Sequence, residues 1–226
     1  METLGTIYGG WDIPINIELD KNSIVYSGGV GEDMSFDLKL NHNYNCNIIL
    51  IDPTLKAIKH FEEVKNYYNN RSKFTGNIQS DYIKHISGLN PTFNKLTYLN
   101  KGLHNKKDTL KFYKQANPAY VSQSLIPNMF GQDYYEVEVD TIKNIMSELA
   151  HTKIDLLKLD IEGSEIDVLE KMLDDKIFPK YLCVEFDLAL KKKDYNNSTK
   201  KIIERLQKNG YKILLNKNLN ITFEYN

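Results

Sequence analysis

Apolar positions along the chain fall into two patterns. Short, nearly continuous apolar runs occupy residues 23–26, 47–51, 96–99, 154–159 and 181–186. Runs of that length suit strands buried on both faces of a mostly parallel sheet. Between them apolar residues recur at helical spacing. Met34 and Leu38, then Phe36 and Leu40, follow the first run, and Leu55, Ile58 and Val64 follow the second. Ile166, Leu169 and Leu173 follow the fourth. Pro53 and Thr54 open the second of these helices, through about residue 68, where proline is tolerated. Ser164, with Asp167 three positions on, has the spacing of a capping box for the third. Helices are also expected over residues 140–150 and 196–209, the latter stopped by Gly210. Residues 211–215 and 219–225 read as a terminal hairpin.

Strands alternating with helices, then a hairpin, predict an α/β fold. The expected sheet is seven-stranded and mostly parallel, its last strand antiparallel, with helices on both faces. Residues 109–113 read as a strand joined to 96–99 by a turn at 104–108, and 135–139 alternates as an edge strand does. The segment at about 104–135, with Asn117, Pro118, Ser122, Ser124, Pro127 and Gly131, is a loop-rich insertion long enough for a lid. Residues 69–95 give no assignable element. Residues 1–22 read as an irregular leader whose Trp11 covers the surface of the domain formed by 23–226.

Composition narrows the partners. The 226 residues suit one domain with a full core, and 29 basic against 30 acidic residues give a net charge of -1. That leaves no electrostatic footprint for nucleic acid. Lys191, Lys192 and Lys193 read as solvated loop. Cys46 and Cys183 lie in or beside apolar runs and are expected to be reduced core residues. No stretch reaches the ~20 apolar residues of a membrane span, and the N-terminus lacks the plan of a signal peptide. A cytoplasmic protein without membrane partners is the expectation; oligomeric state is open.

The chemistry concentrates where the fourth apolar run ends, in Asp160, Ile161, Glu162, Gly163, Ser164 and Glu165. In open α/β sheets ligands bind beyond the carboxyl ends of the strands, which places Asp160 and Glu162 at such an edge. Acids at a helix start also simply favour the helix dipole, which is the simpler reading of Glu165 and Asp167. The front of the chain adds weight to a ligand site. Ser27 is followed by Gly28, Gly29, Val30, Gly31 and Glu32 between a strand and a helix, which lets backbone approach a ligand closely. Asp52 ends the next strand about 20 residues past Gly31, where an acid can accept hydrogen bonds from ribose hydroxyls.

Residues 154–169 resemble the D-L-L-K-I-D-V-E-G-x-E-x-x-V-L signature of FkbM-type methyltransferases. Residues 26–37 resemble the glycine turn Y-S-x-G-V-G-x-D-x-S-F-D of one branch of that family, and 52–54 its D-P-T. Smaller blocks at 102–103 and 122–125 extend the likeness over roughly residues 23–187. The resemblance implies a Rossmann-like class I methyltransferase fold and S-adenosylmethionine as cofactor. It implies cofactor contacts at Gly29, Gly31 and Asp52, with Gly28, Glu32, Asn100 and Gly102 as further candidates. Most members carry an aspartate at Ser27, expected to help hold the methionine amino group; Ser27 is a weaker partner, and Glu32 is a possible substitute. Asp160 and Glu162 are the expected catalytic pair, positioning an acceptor hydroxyl and taking its proton. His104 and His151 are secondary candidates for the base, each more simply a surface residue. The implied acceptor is a sugar, glycan or secondary metabolite.

Three other readings stand beside this one. A glycine turn plus an acid also fits a nicotinamide-dependent oxidoreductase, although the glycine fingerprint is incomplete and no Tyr-x-x-x-Lys is recognisable. A non-catalytic module of the same fold is favoured only by Ser27. Asp160, Glu162, Glu185 and Asp187 offer oxygen ligands for a divalent cation; the resemblance does not call for one, and no metal is expected.

Overall fold

The computed structural model of the chain describes residues 1–76, 78–114, 124, 132–190, 194 and 197–226. Two short strands, β1 (Glu2–Leu4) and β2 (Trp11–Ile13), pair antiparallel ahead of the main fold. Then come β3 (Ile24–Gly28), α1 (Ser35–Tyr44), β4 (Asn47–Ile51), α2 (Leu55–Asn70), α3 (Tyr82–Ile86) and β5 (Leu96–Leu99). A segment with β6 (Gly102–Leu103), β7 (Asp108–Tyr113) and β8 (Tyr134–Asp140) follows. The chain continues with α4 (Ile142–Glu148), β9 (Leu156–Leu159), α5 (Glu165–Asp174), β10 (Tyr181–Glu185) and α6 (Asp187–Leu190). It ends with α7 (Ser198–Lys208), β11 (Tyr211–Lys217) and β12 (Asn220–Tyr225).

The main sheet has seven strands in the order β11-β12-β10-β9-β3-β4-β5. Its pairs from β10 to β5 are all parallel, and β12 runs antiparallel between β10 and β11. This is the doubly wound sheet with an antiparallel last strand that the alternation predicts. Alternate residues of each strand feed opposite faces. Val25, Ile48 and Leu50 join Phe36, Leu38 and Phe61 on one side. Tyr26, Ile49, Ile51, Leu157 and Leu159 join Leu169, Met172, Ile202 and Leu206 on the other. Burial on both faces explains why these strands read as continuous apolar runs. Cys46 and Cys183 are buried free thiols, as expected. No described helix is long and apolar enough to cross a membrane.

Several local expectations are corrected. Residues 1–22 are not irregular throughout, and Trp11 is buried, its Nε1 donating to Thr222 Oγ1 at 3.0 Å, which ties the β1–β2 pair to the main sheet. Strand β7 pairs with β8, not with β5, because the chain after β5 leaves the main sheet and forms a three-stranded one in the order β6-β8-β7. That puts β8 in its centre rather than at an edge. Helix α3 lies in the stretch where no element was assignable. Ser164 makes no capping hydrogen bond; Glu165 satisfies the backbone at that turn instead. Residues 117, 118, 122, 127 and 131 of the expected lid, and 191–193, lie outside the described residues.

Candidate functional site

Strand order reverses at β3, whose chain successor β4 lies on one side while β9 lies on the other. Such a switch point leaves a crevice beyond the carboxyl ends of the strands. The ends of β3, β4, β9 and β10 here border a cavity of about 470 Å³, in the size range of small-ligand sites.

The glycine turn is locked to the end of β9. Asp160 N donates to Gly28 O at 3.1 Å, and Gly29 N to Ile51 O at 3.0 Å. A Cβ on Gly29, at φ +79°, would lie 1.7 Å from the Asp160 carbonyl oxygen. No other residue type fits there. Gly31, at φ +56°, has nothing within 4 Å of where a Cβ would be, so the turn opens toward the cavity at this point.

Asp52 closes the turn from the β4 side. Its Oδ2 accepts from Val30 N and Gly31 N, both at 2.9 Å, and its Oδ1 from Thr54 N at 2.8 Å. A carboxylate offers about four acceptor positions, so roughly one is left for a ligand hydroxyl. Asp52, the acid expected from the sequence to face a ribose, therefore also shapes the loop.

On the β9 side the turn is strained. Glu162 takes φ +59° and Gly163 φ +111°. A non-glycine residue in the left-handed region costs of order 1 kcal/mol or more and is commonest at functional sites. Three hydrogen bonds hold it. Glu165 Oε1 accepts from Ile161 N at 3.1 Å and Gly163 N at 2.9 Å, and Ser124 Oγ donates to Glu162 O at 2.5 Å. Lys158, buried in β9, donates to Gly29 O at 3.2 Å and lies 3.4 Å from Asp160 Oδ2. Burial alone would lower its pKa, but Asp160, Asp37 and Glu185 outweigh it and the pKa is raised.

Acid crowds this edge. One carboxylate oxygen from each of Asp160, Glu185 and Asp187 lies within 4.8 Å of the others. Burial, then the Asp160 charge, pushes Glu185 up to about 8. Burial, then Asp187, raises Glu165 well above the carboxylate range. Tyr8, in the loop between β1 and β2, reaches the same edge; burial followed by Asp160, Glu162 and Glu185 pushes it up to about 12. That loop is anchored by Thr6 Oγ1 donating to Asp33 Oδ2 at 2.5 Å, while Asp33 Oδ1 accepts from Ser35 N at the start of α1.

Of the residues singled out from the sequence, Gly29, Gly31, Glu32, Asp52, Gly102, Asp160 and Glu162 line the cavity. Ser27 and Gly28 do not. Ser27 is fully buried in β3 facing Asp37, without closing a hydrogen bond, and a Cβ on Gly28 would meet Leu103 at 2.8 Å. Asn100 is exposed, outside the cavity lining. His104 and His151 lie off the lining too; His151 Nδ1 pairs with Tyr26 OH at 2.9 Å. Tyr8, Asp33, Lys158 and Glu165 were missed. A lysine inside an apolar run was the one signal available among them.

The sequence model of the methyltransferase FkbM domain matches residues 46–213, which include β4, β9 and β10, the strands that lead to Asp52, Asp160 and Glu185. The chain belongs to the FkbM methyltransferase family. It is therefore a member of an S-adenosylmethionine-dependent methyltransferase family with the sheet expected of the class I fold. No curated protein sequence matches it. Among solved structures, the fibrillarin pre-rRNA processing protein of Methanococcus jannaschii is similar at TM-score 0.45 and 9% identity, covering 91% of this chain and 67% of that one. A fibrillarin/Nop5p complex is similar at TM-score 0.45 and 11% identity, covering 92% and 74%.

Proposed function

We propose that this FkbM methyltransferase is an O-methyltransferase, acting on a hydroxyl of a sugar, glycan or secondary metabolite. The observation that carries this reading is the cavity at the β3/β9 switch point, which has the open glycine turn on one wall and Asp160 with Glu162 on the other. The residues present fit the cofactor. Gly31 leaves room for a ligand against the backbone, and Asp52 keeps acceptor capacity at the ribose position. Glu32, with a buried Oε2 that makes no hydrogen bond among the described residues, is the acid offered to the methionine amino group in place of Ser27. Bound there, S-adenosylmethionine supplies an electrophilic methyl group on a sulfonium.

The chain's own task is then alignment and exclusion of water. Tyr8, Leu103, Phe112 and Leu190 line the cavity with apolar and aromatic surface. Lys158 Nζ fixes the Asp160 carboxylate from behind, so that Asp160 can accept the acceptor's hydroxyl proton as it leaves. Glu162, held by its strained backbone, orients that hydroxyl. Transfer of labelled methyl from S-adenosylmethionine to a panel of glycans and hydroxylated metabolites tests the reading. Wild type should label an acceptor hydroxyl and Asp160→Asn should lose most of the rate; label on a nitrogen or carbon would overturn O-methylation.

A further inference from the structure

The main sheet continues past the strands that border the cavity. Beyond β10 its order runs through β12 to β11, and the carboxyl edge runs on with it, because Glu185 is set opposite Asn220 and Asn220 opposite Lys217. There residues of the β1–β2 loop and of the β11–β12 hairpin line a second cavity of about 590 Å³, again in the size range of small-ligand sites. Ile7, Tyr8, Glu185 and Leu190 line both cavities, so the two adjoin. The cofactor contacts proposed above, at Gly31, Glu32 and Asp52, come from the ends of β3 and β4. An acceptor that reaches Asp160 is left with the β10 side, where the second cavity begins.

The second cavity is polar without a surplus of positive charge. Lys217 Nζ lies 3.4 Å from Asp12 Oδ2, and His85 Nε2 lies 3.4 Å from Asp81 Oδ2, so each basic side chain of the lining already faces an acid. With Glu185 also present, a phosphate or carboxylate group finds no cation to spare. The neutral groups suit hydroxyls instead. Asn220 Oδ1 is buried and has no hydrogen-bond partner among the described residues, which is costly until something donates to it. Side chains two apart on a strand share a face. Asn220 therefore faces the side on which Thr222 Oγ1 accepts from Trp11 Nε1, the side of the β1–β2 pair. Where the cavities join, Tyr8 is 59% exposed and Ile7 96%, apolar surface left uncovered beside amides and hydroxyls. A sugar ring, with apolar C–H faces and hydroxyl edges, matches that combination.

We infer that the second cavity is a subsite for an oligosaccharide acceptor. The ring to be methylated sits at Asp160, the chain crosses Tyr8, and the adjoining ring lies in the second cavity with a hydroxyl donating to Asn220 Oδ1. This inference rests on the first cavity being the site of methyl transfer, and it narrows the acceptor to a neutral glycan at least two rings long. Asn220 and Tyr8 then set specificity, holding the acceptor without taking part in the transfer itself.

Calorimetric titration of the full chain, loaded with S-adenosylhomocysteine, tests this against neutral di- and trisaccharides of glucose, galactose, mannose and rhamnose and against the parent monosaccharides. At least one oligosaccharide should bind about tenfold or more tightly than its monosaccharide. Asn220→Ala and Tyr8→Ala should each cut that gain by about three- to tenfold, while Lys212→Ala, exposed on β11 and outside the lining, should keep it. Tyr8 lies in an exposed loop, so its variant remains informative if Asn220→Ala fails to fold. Oligosaccharides that bind no better than monosaccharides, a gain that survives in both variants, or sugar phosphates that bind better than neutral sugars would each overturn the subsite. Binding of S-adenosylhomocysteine with label on a monosaccharide hydroxyl would then leave the O-methyl reading standing. Oligosaccharide binding that depends on Asn220, with label on nitrogen or carbon, would overturn that reading and keep the subsite.

Discussion

Gly29→Ala probes the join on which the site is built. The new Cβ would be placed 1.7 Å from the Asp160 carbonyl oxygen at φ +79°. The positive φ alone costs an L-residue roughly 1–2 kcal/mol. Relieving the contact requires the turn and the β9 end to separate, comparable to overpacking a core at about 1–3 kcal/mol. Together they amount to about 2–5 kcal/mol, a large part of the ~5–15 kcal/mol that holds a typical domain together. Gly31→Ala is the internal control, since it meets nothing within 4 Å at φ +56° and should cost about 1 kcal/mol from conformation alone. Urea denaturation followed by far-ultraviolet circular dichroism measures both; the slopes should match wild type, so that midpoint differences report stability. Equal, small losses in the two variants would refute the close approach of the glycine turn to β9.

Three further outcomes follow from the same contacts. Glu162→Gly removes a side chain from a left-handed position at φ +59° and should raise stability by up to about 1 kcal/mol while reducing methyl transfer; a variant both less stable and fully active would contradict the assigned strain and role. Lys158→Met leaves the buried edge of Asp160, Asp37 and Glu185 without its cation and should destabilise by about 3–5 kcal/mol, read as a fall in denaturation midpoint. Buried His60, hydrogen-bonded to Tyr82 OH at 2.8 Å, has its pKa lowered by burial to about 4. Its neutral form is favoured in the fold, so its contribution is complete above the unfolded value near 6.5 and is lost as pH falls toward 4, up to roughly 3 kcal/mol. His60→Gln should flatten that part of the stability profile between pH 6.5 and 4.

Much of the site could be read from the sequence because its signals are local. A buried parallel strand shows as an apolar run, and the acid that ends it must then lie at the sheet's carboxyl edge; this is how Asp52, Asp160 and Glu185 were found. Gly29 and Gly31 were legible because a turn from strand to helix needs positive φ in place. What escaped depends on contacts distant in sequence. Tyr8 reaches the cavity only because Trp11 and Thr6 anchor the β1–β2 pair to Thr222 and Asp33. Glu165 has the same spacing as any helix-start acid, and only the fold shows that it turns inward to the Ile161 and Gly163 amides. Strand β7 was misassigned because pairing partners are set by the tertiary course of the chain, and alternation along one strand does not name them.

The most direct test of the account is an equilibrium titration of the protein with S-adenosylhomocysteine, run beside NAD. One saturable site for S-adenosylhomocysteine, lost when Asp52→Ala removes the carboxylate that holds Val30 N and Gly31 N and is proposed to accept from the ribose, is the predicted result. Saturable binding of NAD with none of S-adenosylhomocysteine would contradict it.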